Sequence, residues 1–363
     1  QKTEYEISLG LVGSEMCIRD RNDSSFWKIV IPYIVLGMGV VLVTGGGSWD
    51  ISNHILNKPE SFFAEPHLIL YSGVAISIVG FGSLFIPIQN KNSFNLKFPK
   101  LLSGLGIFLL VISGPLDFWW HDMYGLDGLL SPIHLVLMTG MLLTSIASVV
   151  GIVRIESKSE RKIGVILQGL IFSGVWFSLT GFAHSFSLPF SKTDYFDFNP
   201  EPTFAAIFAT IVYPIVMAFI LITSAKVSPG KFGYLSTTGA FYILIMILSA
   251  LLPNPVLIDA VPFYLLNLIP FVLADVIINK SQIKKSHFVA GAIIGSSFIF
   301  SYFPLITYTY NEVMFHRLVW PSMIPMIYSE FIVVIFPLLV VCGAVSSIIG
   351  TVLALRTSRR III

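Results

Sequence analysis

From residue 27 onward the chain alternates between apolar runs close to twenty residues long and short polar stretches. A hydrocarbon core about 30 Å thick is crossed by a helix of roughly 20 apolar residues. Ten runs qualify: about 27–47, 67–89, 99–118, 133–153, 163–185, 203–224, 233–252, 257–279, 287–305 and 331–355. Pro and Gly inside several of them are compatible with membrane helices, where neighbouring helices satisfy the freed backbone groups. The pattern predicts an all-α fold, a polytopic transmembrane helix bundle of about ten spans. No soluble domain or long linker is read; residues 22–363 form a single transmembrane domain.

Residues 1–21 break the pattern. They are polar, unlike the remainder of the chain, and lack the long apolar stretch of a signal peptide. Leu11–Arg21 back-translates onto a transposase-adapter end, so 1–21 is read as a translated sequencing adapter and set aside. Cys17 goes with it, leaving Cys342 inside an apolar run. One such thiol makes neither a disulfide nor a thiolate metal cluster, and reads as a small core residue.

Composition narrows the function classes. Hydrophobic residues make up 55% of the chain and charged residues 12%, about half the share of a soluble domain. Mean hydropathy is +0.83. A cytosolic enzyme, a disordered chain, a disulfide scaffold and a nucleic-acid binder are excluded. The formal charge of +2 matters less than where the charges fall. One set of loops carries 16 Lys and Arg, the other set 3 (Lys58, Lys192, Arg317), and the remaining 3 lie in residues 1–21. By the positive-inside rule, both termini are expected in the cytoplasm, in a multi-pass protein of the cell membrane. The opposite, extracytoplasmic side gathers most acidic residues and six of the seven histidines, all but His287.

Those outer histidines repeat. Asp50, His54 and His67 form Asp-x3-His-x12-His, and Asp117, His121 and His134 form it again, 67 residues on throughout. Leu68, Leu70 and Gly73 match Leu135, Leu137 and Gly140 at the same offset; Glu60 and Asp127 are both acidic. The period equals one helical hairpin and its return, so hairpins of about 27–89 and 99–153 are expected as tandem parallel repeats. Asp and His four apart share a helix face, and the second His opens the returning helix. One hairpin thus brings a carboxylate and two imidazoles together, a set that leaves coordination positions open on zinc, iron or copper. Weaker echoes place His184, Glu312 and His316 as additional ligands or proton carriers; Thr180, His184 and Asp197 keep the spacings with altered types.

The motif is similar to the metal site in the C subunit of particulate methane and ammonia monooxygenases. There the Asp and first His share a membrane helix and the second His comes from the next. The resemblance implies a membrane-embedded site for copper or zinc near the outer face, at Asp50, His54 and His67 and again at Asp117, His121 and His134. It covers the ligand spacing only. That subunit has fewer spans, one copy of the motif and two partner subunits, so oxidation of methane or ammonia is not carried over. The segment 45–140, with Trp49-Asp50, Pro66-His67-Leu68 and Asp117-Phe118-Trp119-Trp120-His121, also resembles uncharacterised multi-span proteins of bacteria and archaea.

Three functions compete. The first is a metal-dependent, monooxygenase-like oxidoreductase, copper favoured and zinc or iron as the other fits, acting on a small apolar substrate. Phe62, Phe63, Trp119 and Trp120 would wall its pocket. Electrons would come from a partner or other membrane subunits, because the chain has no CxxC, haem or flavin signature. The second is a membrane zinc hydrolase acting on lipids. The third is a metal transport or delivery protein, disfavoured because the ligand types gather at one face. The lipid bilayer is the expected partner in all three, and nucleic acid in none.

Overall fold

The computed structural model describes residues 4–56, 58, 61–87, 94–125, 127–189, 195–228, 232–280, 282–302 and 324–362, with side chains described from 26 in the first helix and from 334 to 361 in the last. Every regular element among them is helical. In chain order these are α1 (Glu4–Ile55), α2 (Glu65–Ser83), α3 (Lys97–Tyr124), α4 (Pro132–Ser157), α5 (Val165–Ser185), α6 (Pro202–Val227) and α7 (Tyr234–Leu251). A 3₁₀ turn (Pro255–Ala260) then leads into α8 (Val261–Leu266), α9 (Leu268–Lys280), α10 (Ser286–Ser296) and α11 (Ile324–Ile362).

Nine stretches among the described residues are long and apolar enough to cross a membrane, and Ser286–Tyr302 is a shorter apolar helix. They fall on the ten expected runs, and the chain is a multi-pass membrane protein. Two differences matter. Helices α1 and α3 continue past their apolar runs to Ile55 and Tyr124, carrying Asp50, His54, Asp117 and His121 in their outer turns. The eighth span, Pro255–Lys280, is segmented rather than one helix. Pro255, Pro262 and Pro270 each remove a backbone donor there.

Helix α1 lies at the centre, against α2, α4, α5 and α7. Tyr33, Leu36, Ile155, Trp176, Met217 and Phe271 are among the most deeply buried large side chains. On α3, by contrast, Leu101, Leu105, Phe108 and Val111 are exposed, as lipid-facing side chains should be.

Close helix contact within the first two hairpins depends on missing side chains. A Cβ on Gly39 of α1 would lie 2.6 Å from the Gly73 carbonyl of α2. A Cβ on Gly106 of α3 would lie 3.0 Å from the Gly140 carbonyl of α4. Ser77 crowds the first position and Thr144 the second. Gly39 and Gly106, Gly73 and Gly140, and Ser77 and Thr144 are each 67 apart, so the contacts keep the offset of the motif. Without a hydrophobic force between helices in lipid, such small-residue contacts are what lets two backbones pack.

Asp275, buried on α9, is fully used. Its carboxylate accepts from the Gly233 and Ser236 amides at 3.0 Å, from the Ser236 hydroxyl, and from Asn279 Nδ2 at 2.7 Å. It caps the start of α7 from a neighbouring helix, a structural task for a carboxylate at membrane depth.

Candidate metal centre

Local folding delivers the ligands. Ser131 caps α4 by accepting from the His134 amide at 3.2 Å, and Pro132 occupies the first turn, where its missing donor costs nothing. His134 is therefore the third residue of α4, as His67 is of α2. Asp117 and His121, four apart on α3, point to the same side, and His134 meets them from the returning helix.

Each carboxylate touches both of its histidines. Asp50 Oδ2 lies 3.4 Å from His54 Nε2, and Asp50 Oδ1 lies 3.2 Å from His67 Nε2. Asp117 Oδ1 lies 3.7 Å from His121 Nε2 and 3.4 Å from His134 Nε2. One ligand atom from each of Asp117, His121 and His134 falls within 4.8 Å of the others. A tetrahedral ion with bonds of about 2.0–2.1 Å sets its ligand atoms roughly 3.3–3.4 Å apart. The carboxylate–imidazole separations are close to that edge length; among the described residues, one atom from each of three such groups comes within 4.8 Å of the others in the second set and not in the first.

The far sides of the rings fix their chemistry. His67 Nδ1 faces the Ser61 carbonyl at 2.9 Å, His121 Nδ1 the Gly125 carbonyl at 3.1 Å, and His134 Nδ1 the Gly128 carbonyl at 3.4 Å. A carbonyl oxygen only accepts, so each Nδ1 carries the hydrogen. On a neutral ring, Nε2 then presents a lone pair to the carboxylate. In the second set, Asp117 Oδ1 and His121 Nε2 are buried without a hydrogen-bond partner. Buried acceptors facing one another are costly unless a cation lies between them or the rings gain second protons. Backbone carbonyls behind imidazoles are also the usual arrangement around metal-ligating histidines.

A further carboxylate stands behind the second set. Asp127 is buried in the loop between α3 and α4 and accepts from the Trp120 indole N–H. Burial pushes its carboxyl up, against the opposing pull of His134 and the Trp120 bond.

Both sets reach one cavity of about 270 Å³, to which Asp50, His67, Asp117, His121 and His134 contribute. His184 and Thr180 enter it from α5. Asp197, the third member of that echo, is instead exposed and accepts from the Asn199 amide. Glu312 and His316 lie outside the described residues. The expected aromatic wall is corrected in part. Phe62 lines the cavity, whereas Phe63 and Trp119 are exposed and Trp120 serves Asp127. Tyr71, Phe118 and Phe177 form the wall with Phe62, and Met138 and Met141 line the cavity too, the Met138 sulfur accepting from the Ser185 hydroxyl at 3.6 Å. The methionines were within reach of sequence reasoning, since four and seven residues past His134 is the same helix face.

The fold and site define an apolar, all-helical membrane protein with a buried Asp/His/His cluster of metal-ligand geometry. No protein-family profile, curated protein or solved structure matches the chain.

Proposed function

We propose that the chain is an integral membrane metalloprotein whose two Asp/His/His sets hold metal ions, and that it is a copper-dependent oxygenase of a small apolar substrate. The observation that carries the metal reading is that Asp117 Oδ1 and His121 Nε2, buried at the focus of the second set, face each other at 3.7 Å without a hydrogen bond. Copper is favoured over iron because Met138 and Met141 line the same cavity, and a thioether turned towards the ion would select Cu(I). Asp50, His54 and His67 would hold one ion, and Asp117, His121 and His134 the other. A bound redox metal supplies dioxygen activation. The Ser61, Gly125 and Gly128 carbonyls hold His67, His121 and His134 in the ligating tautomer, and the apolar wall limits water at the substrate. Electrons would come from a partner protein or the quinone pool.

The ligand separations suit zinc equally, which keeps a membrane zinc hydrolase acting on lipids as the second reading. Transport gains no support from Asp275, whose carboxylate is consumed as a helix cap. The uneven Lys and Arg distribution supports an extracytoplasmic cavity with both termini in the cytoplasm. An impermeant thiol reagent should then label a cysteine at Asn199 in intact cells and one at Ser159 only after permeabilisation.

Metal analysis of the full chain, purified in detergent, tests the proposal. Copper or iron is expected, and tight zinc alone would favour the hydrolase. Asp117→Ala and His121→Ala should each lower the metal content; unchanged stoichiometry in both removes the site.

A further inference from the structure

The cavity has a side as well as an outer end. Its outer rim carries the exposed polar residues Ser61 and Asp122. Its side wall, between α2 and α3, is made by Phe62, Tyr71, Gly114 and Phe118. Tyr71 lies four residues past His67 and Gly114 three before Asp117, about one helical turn further into the bilayer than the ligands. This wall is thin. A Cβ on Gly114 would meet nothing closer than Tyr71 Cε1, at 3.6 Å, so a single aromatic edge closes the gap there. Below it, Leu110 of α3 shares a packed cluster with Leu70 and Val74 of α2, and Phe81 lies over Gly104 two turns and more down.

The wall is also built of aromatic side chains that reach a lipid-facing surface. Phe62 contacts Tyr71 at 5.2 Å and Phe118 edge-on at 5.5 Å between centroids. Phe118 lines the cavity and is 54% exposed, so one ring faces both the cavity and the surroundings. A lone exposed apolar ring would mean little. Here it sits on a transmembrane helix whose other exposed side chains between Phe98 and Trp119 are apolar, and directly over a cavity.

We infer that small apolar molecules dissolved in the bilayer enter this cavity sideways, between α2 and α3, through a gate formed by Phe62, Tyr71 and Phe118 over Gly114. This inference deepens the proposed function, resting on it for the chemistry after binding but not for entry itself. An engineered cavity of about 150 Å³ holds benzene, so 270 Å³ admits a molecule of that size or moderately larger. Partitioning also favours this route: the bilayer concentrates apolar solutes beside the gate, whereas the outer mouth passes between a carboxylate and a hydroxyl.

A short alkyl diazirine photolysed in vesicles holding the full chain reads the route directly. Cross-links are expected on Leu137, Met138, Met141 or Phe177, inside the cavity. Gly114→Leu presses a side chain onto Tyr71 and should reduce those cross-links several-fold. Phe118→Ala removes the outer ring and should increase them. Misfolding would not move the two variants in opposite directions. Unchanged labelling in both overturns the inference, as does a loss caused by Asp122→Trp at the outer mouth while Gly114→Leu labels normally. The same preparations are assayed for metal, and the labelling is repeated after chelation. Absent metal with gated labelling sinks the metalloprotein reading alone; bound metal with ungated labelling sinks this one alone.

Discussion

The imidazoles of His54 and His121 lie 6.0 Å apart between ring centroids, their planes tilted by 33°. His54 belongs to the first Asp/His/His set and His121 to the second, so the two sets are neighbours across the α1–α3 side of the cavity. His121 is also 5.6 Å from His134, which continues the row into α4. Ions held in both sets would be close enough for unpaired spins to interact. With copper(II) in both, the full chain should bind two ions and show a spin-coupled electron paramagnetic resonance spectrum. His54→Ala should lower the stoichiometry towards one and leave an uncoupled signal from the second set. An uncoupled spectrum at full loading would mean that the sets act separately.

Asp127 is expected to matter without touching the ion. Its loop presents the Gly125 and Gly128 carbonyls to His121 and His134, and the Trp120 bond anchors the loop. Losing such outer support typically costs about 10–100-fold in metal affinity. Asp127→Ala should weaken binding by that order in a chelator competition, with stoichiometry at saturating metal retained. Trp120→Phe should act in the same direction. An unchanged affinity in both would show that the loop holds its shape without them.

The spans and the two Asp/His/His clusters were legible in the sequence because both are periodic signals. Apolar runs announce membrane helices, and Asp-x3-His fixes a shared helix face wherever the helix lies. The neighbours of the ligands were legible only in part. Positions 113, 114, 117 and 121 keep helical spacing and all reach the cavity, while Trp119, two residues from both Asp117 and His121, is turned about 200° away and exposed. Counting aromatic residues near the motif therefore selected Trp119 wrongly, where counting helix angle selects Gly114. The adjacency of the two sets was not legible, because nothing local to α1 specifies which face of α3 it meets. The segmentation of Pro255–Lys280 was equally hidden, since proline is compatible with unbroken membrane helices.

The hairpins should be sensitive to a single methyl group. At Gly106 an added Cβ would stand 2.8 Å from the Thr144 amide and 3.0 Å from the Gly140 carbonyl, both backbone atoms that cannot rotate away. Overpacking of this kind costs about 1–3 kcal/mol. Gly106→Ala should lower stability in detergent denaturation by that order and, by displacing α3 against α4, loosen metal at the Asp117 set. Gly82→Ala, where no atom lies within 4 Å, is the control and should leave both unchanged.

Glu201 provides a prediction with a definite sign in pH. It caps α6, accepting from the Phe204 amide at 2.7 Å, and the amides of Thr203 and Phe204 hold its carboxyl below the usual 4.5. A carboxyl lowered in the folded state binds fewer protons there than in the unfolded chain. Its contribution is therefore complete above the ordinary carboxylate value and is lost as pH falls through the depressed one. The group is exposed, so the effect belongs to the first turn of α6 rather than to the whole fold. Glu201→Gln mimics the protonated acid. At neutral pH the Phe204 amide should exchange faster in this variant than in the parent chain. Compared at matched pH, the two rates should converge as the parent carboxyl takes up its proton. A difference that persists unchanged into strong acid would show that the side chain's shape, not its charge, holds the helix start.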